Sequence, residues 1–142
     1  VQRMQIDKSL TLALLDYKSG EVRLSGFHED MIVVRKDSSV ELVDTVELGF
    51  HIGMVDDIAH LVGQVNVSLE PGDGIVLFTD GFTEAENRDR KLYGLERLCD
   101  VISRNWGKSS ESVRDAVVRD VREYIGDHIV YDDLTLVVLR QK

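Results

Sequence analysis

A run of strand-like segments, two stretches of helical period and a closing strand predict an α+β fold for these 142 residues. Three observations carry that reading. Short apolar runs broken by turn signals fill the amino-terminal half. Two amphipathic stretches follow. Leu134 to Leu139 (LTLVVL) then ends the chain as an apolar strand. The length predicts one domain, spanning residues 1–142. At 43% hydrophobic and 30% charged residues the chain can build a core, which excludes general disorder.

Leu10 to Tyr17 is apolar enough for a buried strand, though its Leu and Ala equally suit a helix, and Lys18-Ser19-Gly20 is a turn signal. Val22 to Gly26 and Met31 to Arg35 are two further strands around Phe27-His28-Glu29-Asp30. Lys36 to Ser39 is the next turn, before a Val40 to Val43 strand, so the pattern reads as a meander of antiparallel hairpins. Residues 44 to 60 read as a loop or small flap. Val62 to Leu69 alternates, with Val65, Val67 and Leu69 on one face. Glu70-Pro71-Gly72-Asp73 fits a type II turn, with Pro and Gly in its central positions. Ile75 to Thr79 is continuously apolar, as in a strand buried on both faces. Leu95, Leu98, Ile102 and Trp106 mark a helix from about Gly94 to Asn105. Val113, Val117, Val121 and Tyr124 mark a second from about Ser110 to Ile125, with Ser109 or Ser110 to cap it and Gly126 to end it.

Seventeen Lys and Arg against 26 Asp and Glu give a net charge of −9. That excludes a nucleic-acid binder relying on a basic face, and attraction to an anionic membrane surface. No apolar run reaches the about 18 residues of a membrane span. No secretory signal is visible, so a cytoplasmic location is expected and Asn66-Val67-Ser68 is not read as a glycosylation site. Cys99 is alone and forms no internal disulfide.

The strongest chemical signal is Asp80, directly after the buried run and before Gly81. A carboxylate at the end of a central strand is held rigidly, and glycine lets backbone or ligand come close. The second signal is Asp132-Asp133, directly before the last strand. If the two strands are neighbours, their acidic ends converge. Clustered carboxylates repel unless a cation joins them, and an oxygen-only set suits Mg²⁺ or Mn²⁺ better than Zn²⁺. Two such ions can activate water and clamp a phosphoryl group. The plain alternative is a turn at Asp80 and a strand cap at Asp132-Asp133.

Four motifs in order sharpen the choice: Glu70-Pro-Gly-Asp73, Phe78-Thr-Asp-Gly-Phe-Thr-Glu-Ala85, Tyr93-Gly-Leu-Glu-Arg-Leu98 and Asp132-Asp-Leu-Thr-Leu136. Together they resemble the SpoIIE/RsbU family of bacterial PP2C-type (PPM) serine/threonine phosphatases, over nearly the whole chain. The resemblance implies an αββα sandwich with a two-ion Mn²⁺ or Mg²⁺ centre. It implies Asp80 and Asp132 as metal-binding and catalytic residues, with Gly81 and Asp133 as further candidates, Asp133 by supporting the ligands. It implies hydrolysis of phosphoserine or phosphothreonine by metal-activated water, without a covalent nucleophile. The usual family substrates are phosphorylated anti-anti-sigma (STAS-type) proteins.

Two departures qualify the resemblance. The family's earlier Gly-Gly-Asp-x-x-Asp motif does not occur in the sequence, nor do the amino-terminal switch helices. Phe27 also stands where relatives carry His, with His28 one position later. The chain, which begins at Val1, is therefore expected to be the carboxyl-terminal part of such a domain, with sensor or receiver domains upstream in its parent. Weak metal affinity, little or no activity alone, and homodimerisation or strand exchange through an exposed edge are expected. The rival readings are a non-catalytic PPM-fold interaction module and a small cation-stabilised structural domain.

The remaining candidates have simpler explanations. Glu84 and Glu86 read as solvated loop carboxylates. His28, His51 and His60 lack metal-ligand spacing; His51, in the flap, reads as a loop histidine with gating of substrate as the alternative, and His128 is close enough to Asp132 in sequence that it could touch the site. Cys99 reads as core packing and Trp106 as the anchor of the first helix. Arg114, Asp115, Arg119, Asp120, Arg122 and Glu123 read as a solvated face, with docking of a regulatory partner as the alternative.

Overall fold

The computed structural model describes residues 12–26, 29–45, 63–129 and 133–142. The chain divides into two compact units, Val1–His28 with Asp44–Ser68, and Glu29–Val43 with Leu69–Lys142. The α+β class holds, with antiparallel sheets and helices towards the carboxyl end.

In the first unit, β1 (Ala13–Lys18), β2 (Glu21–Gly26) and β5 (Gln64–Ser68) form a sheet of order β1-β2-β5. Lys18 pairs with Glu21, leaving Ser19-Gly20 as a two-residue loop with φ of 52° and 87°. Positive φ at both positions matches the twist of a tight hairpin. In β5, Val65 and Val67 are half-buried while Gln64, Asn66 and Ser68 are exposed, as the alternation predicts.

In the second unit, β3 (Met31–Val34), β4 (Val40–Val43), β6 (Gly74–Phe78) and β7 (Leu136–Arg140) form a sheet of order β4-β3-β6-β7. The predicted meander is thus two hairpins in separate sheets. The free edge of β2 takes β5, whereas β3 is buried throughout and takes β4 and β6. Antiparallel register places Ile32, Val76 and Val138 on one face, because paired residues project to the same side. That face packs on α2 (Leu95–Asn105) and α3 (Ser110–Ile125) through Leu98, Ile102, Val113, Val117 and Val121. Each such aliphatic burial contributes about 1.5–3 kcal/mol. The predicted helix bounds hold to within a residue. The Ser109 hydroxyl accepts from the Ser112 amide, and Gly126 ends α3 at φ 58°. Residues 46–60 of the predicted flap lie outside the described residues.

Trp106 anchors α2, as expected. Its indole N–H donates to the Gly72 carbonyl at 3.0 Å, and its ring fills the space a side chain at Gly74 would need. A Cβ there would lie 2.1 Å from the Leu139 carbonyl oxygen and 2.7 Å from the indole ring. The Arg140 guanidinium covers the ring at 4.3 Å.

The Glu70–Asp73 turn forms as predicted, with Gly72 at φ 98° and the Asp73 amide donating to the Glu70 carbonyl at 2.9 Å. Asp73 is 5% exposed and accepts from the Lys36 amide at 2.8 Å, the Glu70 amide at 3.1 Å and Arg35 at 3.1 Å. Burial alone would raise its pKa, but these donors outweigh burial and hold it below the usual carboxylate value. Its stabilisation is therefore present above about pH 4 and lost as pH falls through the lowered folded value. Asp73→Asn should cost about 2 kcal/mol at neutral pH. It should also flatten the loss of stability below pH 4, read as melting temperature against pH. A variant with the wild-type acid profile would contradict this role.

Candidate functional site

β6 is central, between β3 and β7, and its last residue Phe78 pairs with Leu136 of β7. The two motif ends therefore meet at one corner of the sheet. Asp80 opens α1 (Asp80–Thr83), a single helical turn that apolar periodicity could not reveal at four residues. Thr79 is extended and precedes it. Its amide donates to the Thr135 carbonyl at 3.1 Å, and its hydroxyl donates to the Asp133 carbonyl at 3.1 Å. The same hydroxyl accepts from the Thr135 amide at 3.0 Å. Leu134 and Thr135, predicted to start the last strand, instead make this junction, and β7 begins at Leu136.

Gly81 is buried, and a Cβ there would lie 2.4 Å from the Asp133 carbonyl oxygen. Its need for glycine is thus a close backbone approach. Asp80 is half-buried, and its carboxylate has no hydrogen-bond or ion-pair partner among the described residues. Asp133 is exposed, and Asp132 lies outside the described residues. Among the described residues no three His, Cys, Asp or Glu gather as a metal cluster. A carboxylate without a protein donor, such as that of Asp80, has the oxygen chemistry that suits a hard divalent cation.

The other candidates resolve differently. Glu84 is exposed at the end of α1. Glu86 faces His128 at 3.8 Å. His28, His51 and His60 lie outside the described residues. Cys99 packs against the core, where burial, with Asp30 nearby, pushes its thiol up to about 11. It is inert as a nucleophile at neutral pH.

Asp120 corrects the reading of a solvated helix face. It accepts from Arg97 at 2.8 and 3.2 Å and from the Tyr93 hydroxyl at 2.7 Å. These bonds, Arg97 first, hold its carboxyl below the usual range. Arg97 also lies over the Tyr93 and Tyr124 rings, at 5.3 and 4.7 Å. Position 120 lies three residues after buried Val117, so it faces α2 rather than solvent. The Tyr93-to-Leu98 motif is thereby a clamp. The Gly94 amide donates to the Thr83 carbonyl and the Tyr93 amide to the Ala85 carbonyl, tying α1 to the start of α2. Sequence reasoning missed this link; its signal was Tyr93 and Arg97 flanking the helix start.

The profile of the stage II sporulation protein E (SpoIIE) family matches residues 6–142. Protein IcfG of Synechocystis sp. is 20% identical over 137 residues, 96% of this chain and 21% of that protein. The SiaA-PP2C domain of Pseudomonas aeruginosa superposes with a TM-score of 0.73 at 22% identity, covering 87% of this chain and 47% of that one. The RsbU and RsbW domains of Rv1364c from Mycobacterium tuberculosis give 0.67 at 21%, covering 94% and 36%. The phosphatase domain of SpoIIE from Bacillus subtilis gives 0.58 at 19%, covering 98% and 59%. The chain spans about a fifth of the curated relative and less than two thirds of each of these structures. With its family model matched over residues 6–142, the chain belongs to the stage II sporulation protein E (SpoIIE) family, and it shares its fold with the PP2C-like domains on which it superposes.

Proposed function

We propose that this chain is the carboxyl-terminal portion of a metal-dependent serine/threonine protein phosphatase of bacterial signalling. The observation that carries the reading is the junction of Thr79-Asp80-Gly81 with Asp133-Leu134-Thr135. It supports Asp80 at one side of a metal centre and the Asp132-Asp133 pair at the other. Asp80 and Asp132 would hold Mn²⁺ or Mg²⁺. Gly81 keeps the two backbones close, and Asp133 supports the ligands through its backbone. When bound, such ions supply water activation and neutralise charge at a phosphoryl group. The chain's own part is to hold Asp80, just past the end of β6, against the backbone of Asp133 to Thr135. The substrate would be a phosphoserine or phosphothreonine protein of the STAS anti-anti-sigma type, reached in a cytoplasmic signalling assembly. No described helix is long and apolar enough to cross a membrane.

A second reading, a PPM-fold interaction module without turnover, is favoured by one observation. Gly-Gly-Asp-x-x-Asp does not occur in these 142 residues. Little or no activity is accordingly proposed for the chain alone. The test is hydrolysis of a phosphoserine peptide with Mn²⁺, by the chain alone and joined to a segment carrying that motif. Turnover is expected in the joined form, falling by at least about 100-fold in Asp80→Asn. Turnover that survives Asp80→Asn, or needs no metal, would overturn the phosphatase reading. A joined form inactive towards phosphopeptides would favour the interaction module.

A further inference from the structure

Thr79 stands at the N-cap of α1, where a threonine hydroxyl ordinarily accepts from the amides of its own helix. Here it makes no capping bond. The hydroxyl is turned across the sheet instead. It donates to the Asp133 carbonyl at 3.1 Å and accepts from the Thr135 amide at 3.0 Å, so both of its functions go to the opposite strand end. The Thr79 amide adds a third bond, to the Thr135 carbonyl at 3.1 Å. Two residues on, the Asp133 carbonyl oxygen fills the space of a Gly81 side chain.

The regular β6–β7 ladder ends at Phe78 and Leu136, so beyond it nothing in the ladder sets the separation of the strand ends. The bonds of Thr79 take over there. We infer that the Thr79 hydroxyl is a positioning group, which fixes Asp80 against the backbone of the Asp133–Thr135 segment. The inference rests on the proposed metal centre and adds to it a residue that touches neither metal nor substrate. Valine at this position keeps the shape and removes both bonds, whereas serine keeps both bonds and removes only a methyl group.

The test is Mn²⁺ binding, read from the electron paramagnetic resonance signal of the free ion, in the wild-type chain and in Thr79→Val, Thr79→Ala, Thr79→Ser and Asp80→Asn. Thr79→Val and Thr79→Ala should raise the dissociation constant about 10-fold, the effect expected of a group that orients a metal ligand. Thr79→Ser should stay near wild type. A folded Thr79→Val with wild-type affinity would overturn the inference. If Thr79→Val fails to fold, the serine and alanine variants decide. Serine as weak as alanine would show that the methyl group, not the hydroxyl, matters. Failure of the underlying reading looks different: Asp80→Asn would then bind Mn²⁺ as the wild type does, or the wild type would bind none at millimolar concentrations.

Discussion

Trp106→Ala is expected to destabilise the chain by about 4 kcal/mol, the loss typical of a buried tryptophan. The ring is 2% exposed and lies against Gly74, the first residue of the central strand β6. Its removal leaves a void between α2 and the sheet, an unpaired Gly72 carbonyl and an Arg140 without its aromatic platform. Trp106→Phe should cost less, because the void is smaller, yet it still lacks the N–H for Gly72. Urea titration of the three proteins checks the order. A loss below about 1 kcal/mol for alanine would show that the indole is not the anchor described above.

Gly81→Ala comes next, and its effect falls on the site. A Cβ placed 2.4 Å from a backbone carbonyl cannot be accommodated by rotating a side chain, since the Asp133 oxygen belongs to the main chain. The strand ends must separate, at about 1–3 kcal/mol, and the Thr79 bonds to Asp133 and Thr135 must lengthen. The expected signature is a lowered melting temperature together with faster amide exchange at Thr135. Unchanged exchange there would mean that the two ends do not touch as described.

Much of this fold was legible in the sequence because its signals are local. The turn of Glu70 to Asp73 is written in Pro71 and Gly72, and α3 in Ser109, four apolar positions and Gly126. The division of the hairpins between two sheets was not legible, because pairing at strand edges is decided by distant partners such as β5 and β6. The same holds for the site. Asp80 stood out by its place after a buried run. The function of Thr79 needed the opposite strand end to become visible, and so did that of Asp120, which looked like one more surface charge. Gly81 was legible as a close approach, but what approaches it was not.

The proposed metal centre beside the ends of β6 and β7 is tested most directly by titrating Mn²⁺ into the ¹⁵N-labelled chain and following every amide resonance. The paramagnetic ion broadens only its neighbours. Broadening is expected first at Thr79 to Gly81 and at Asp133 to Thr135, in parallel, and is expected to disappear in Asp80→Asn. Broadening centred elsewhere, or unchanged in Asp80→Asn, would contradict it.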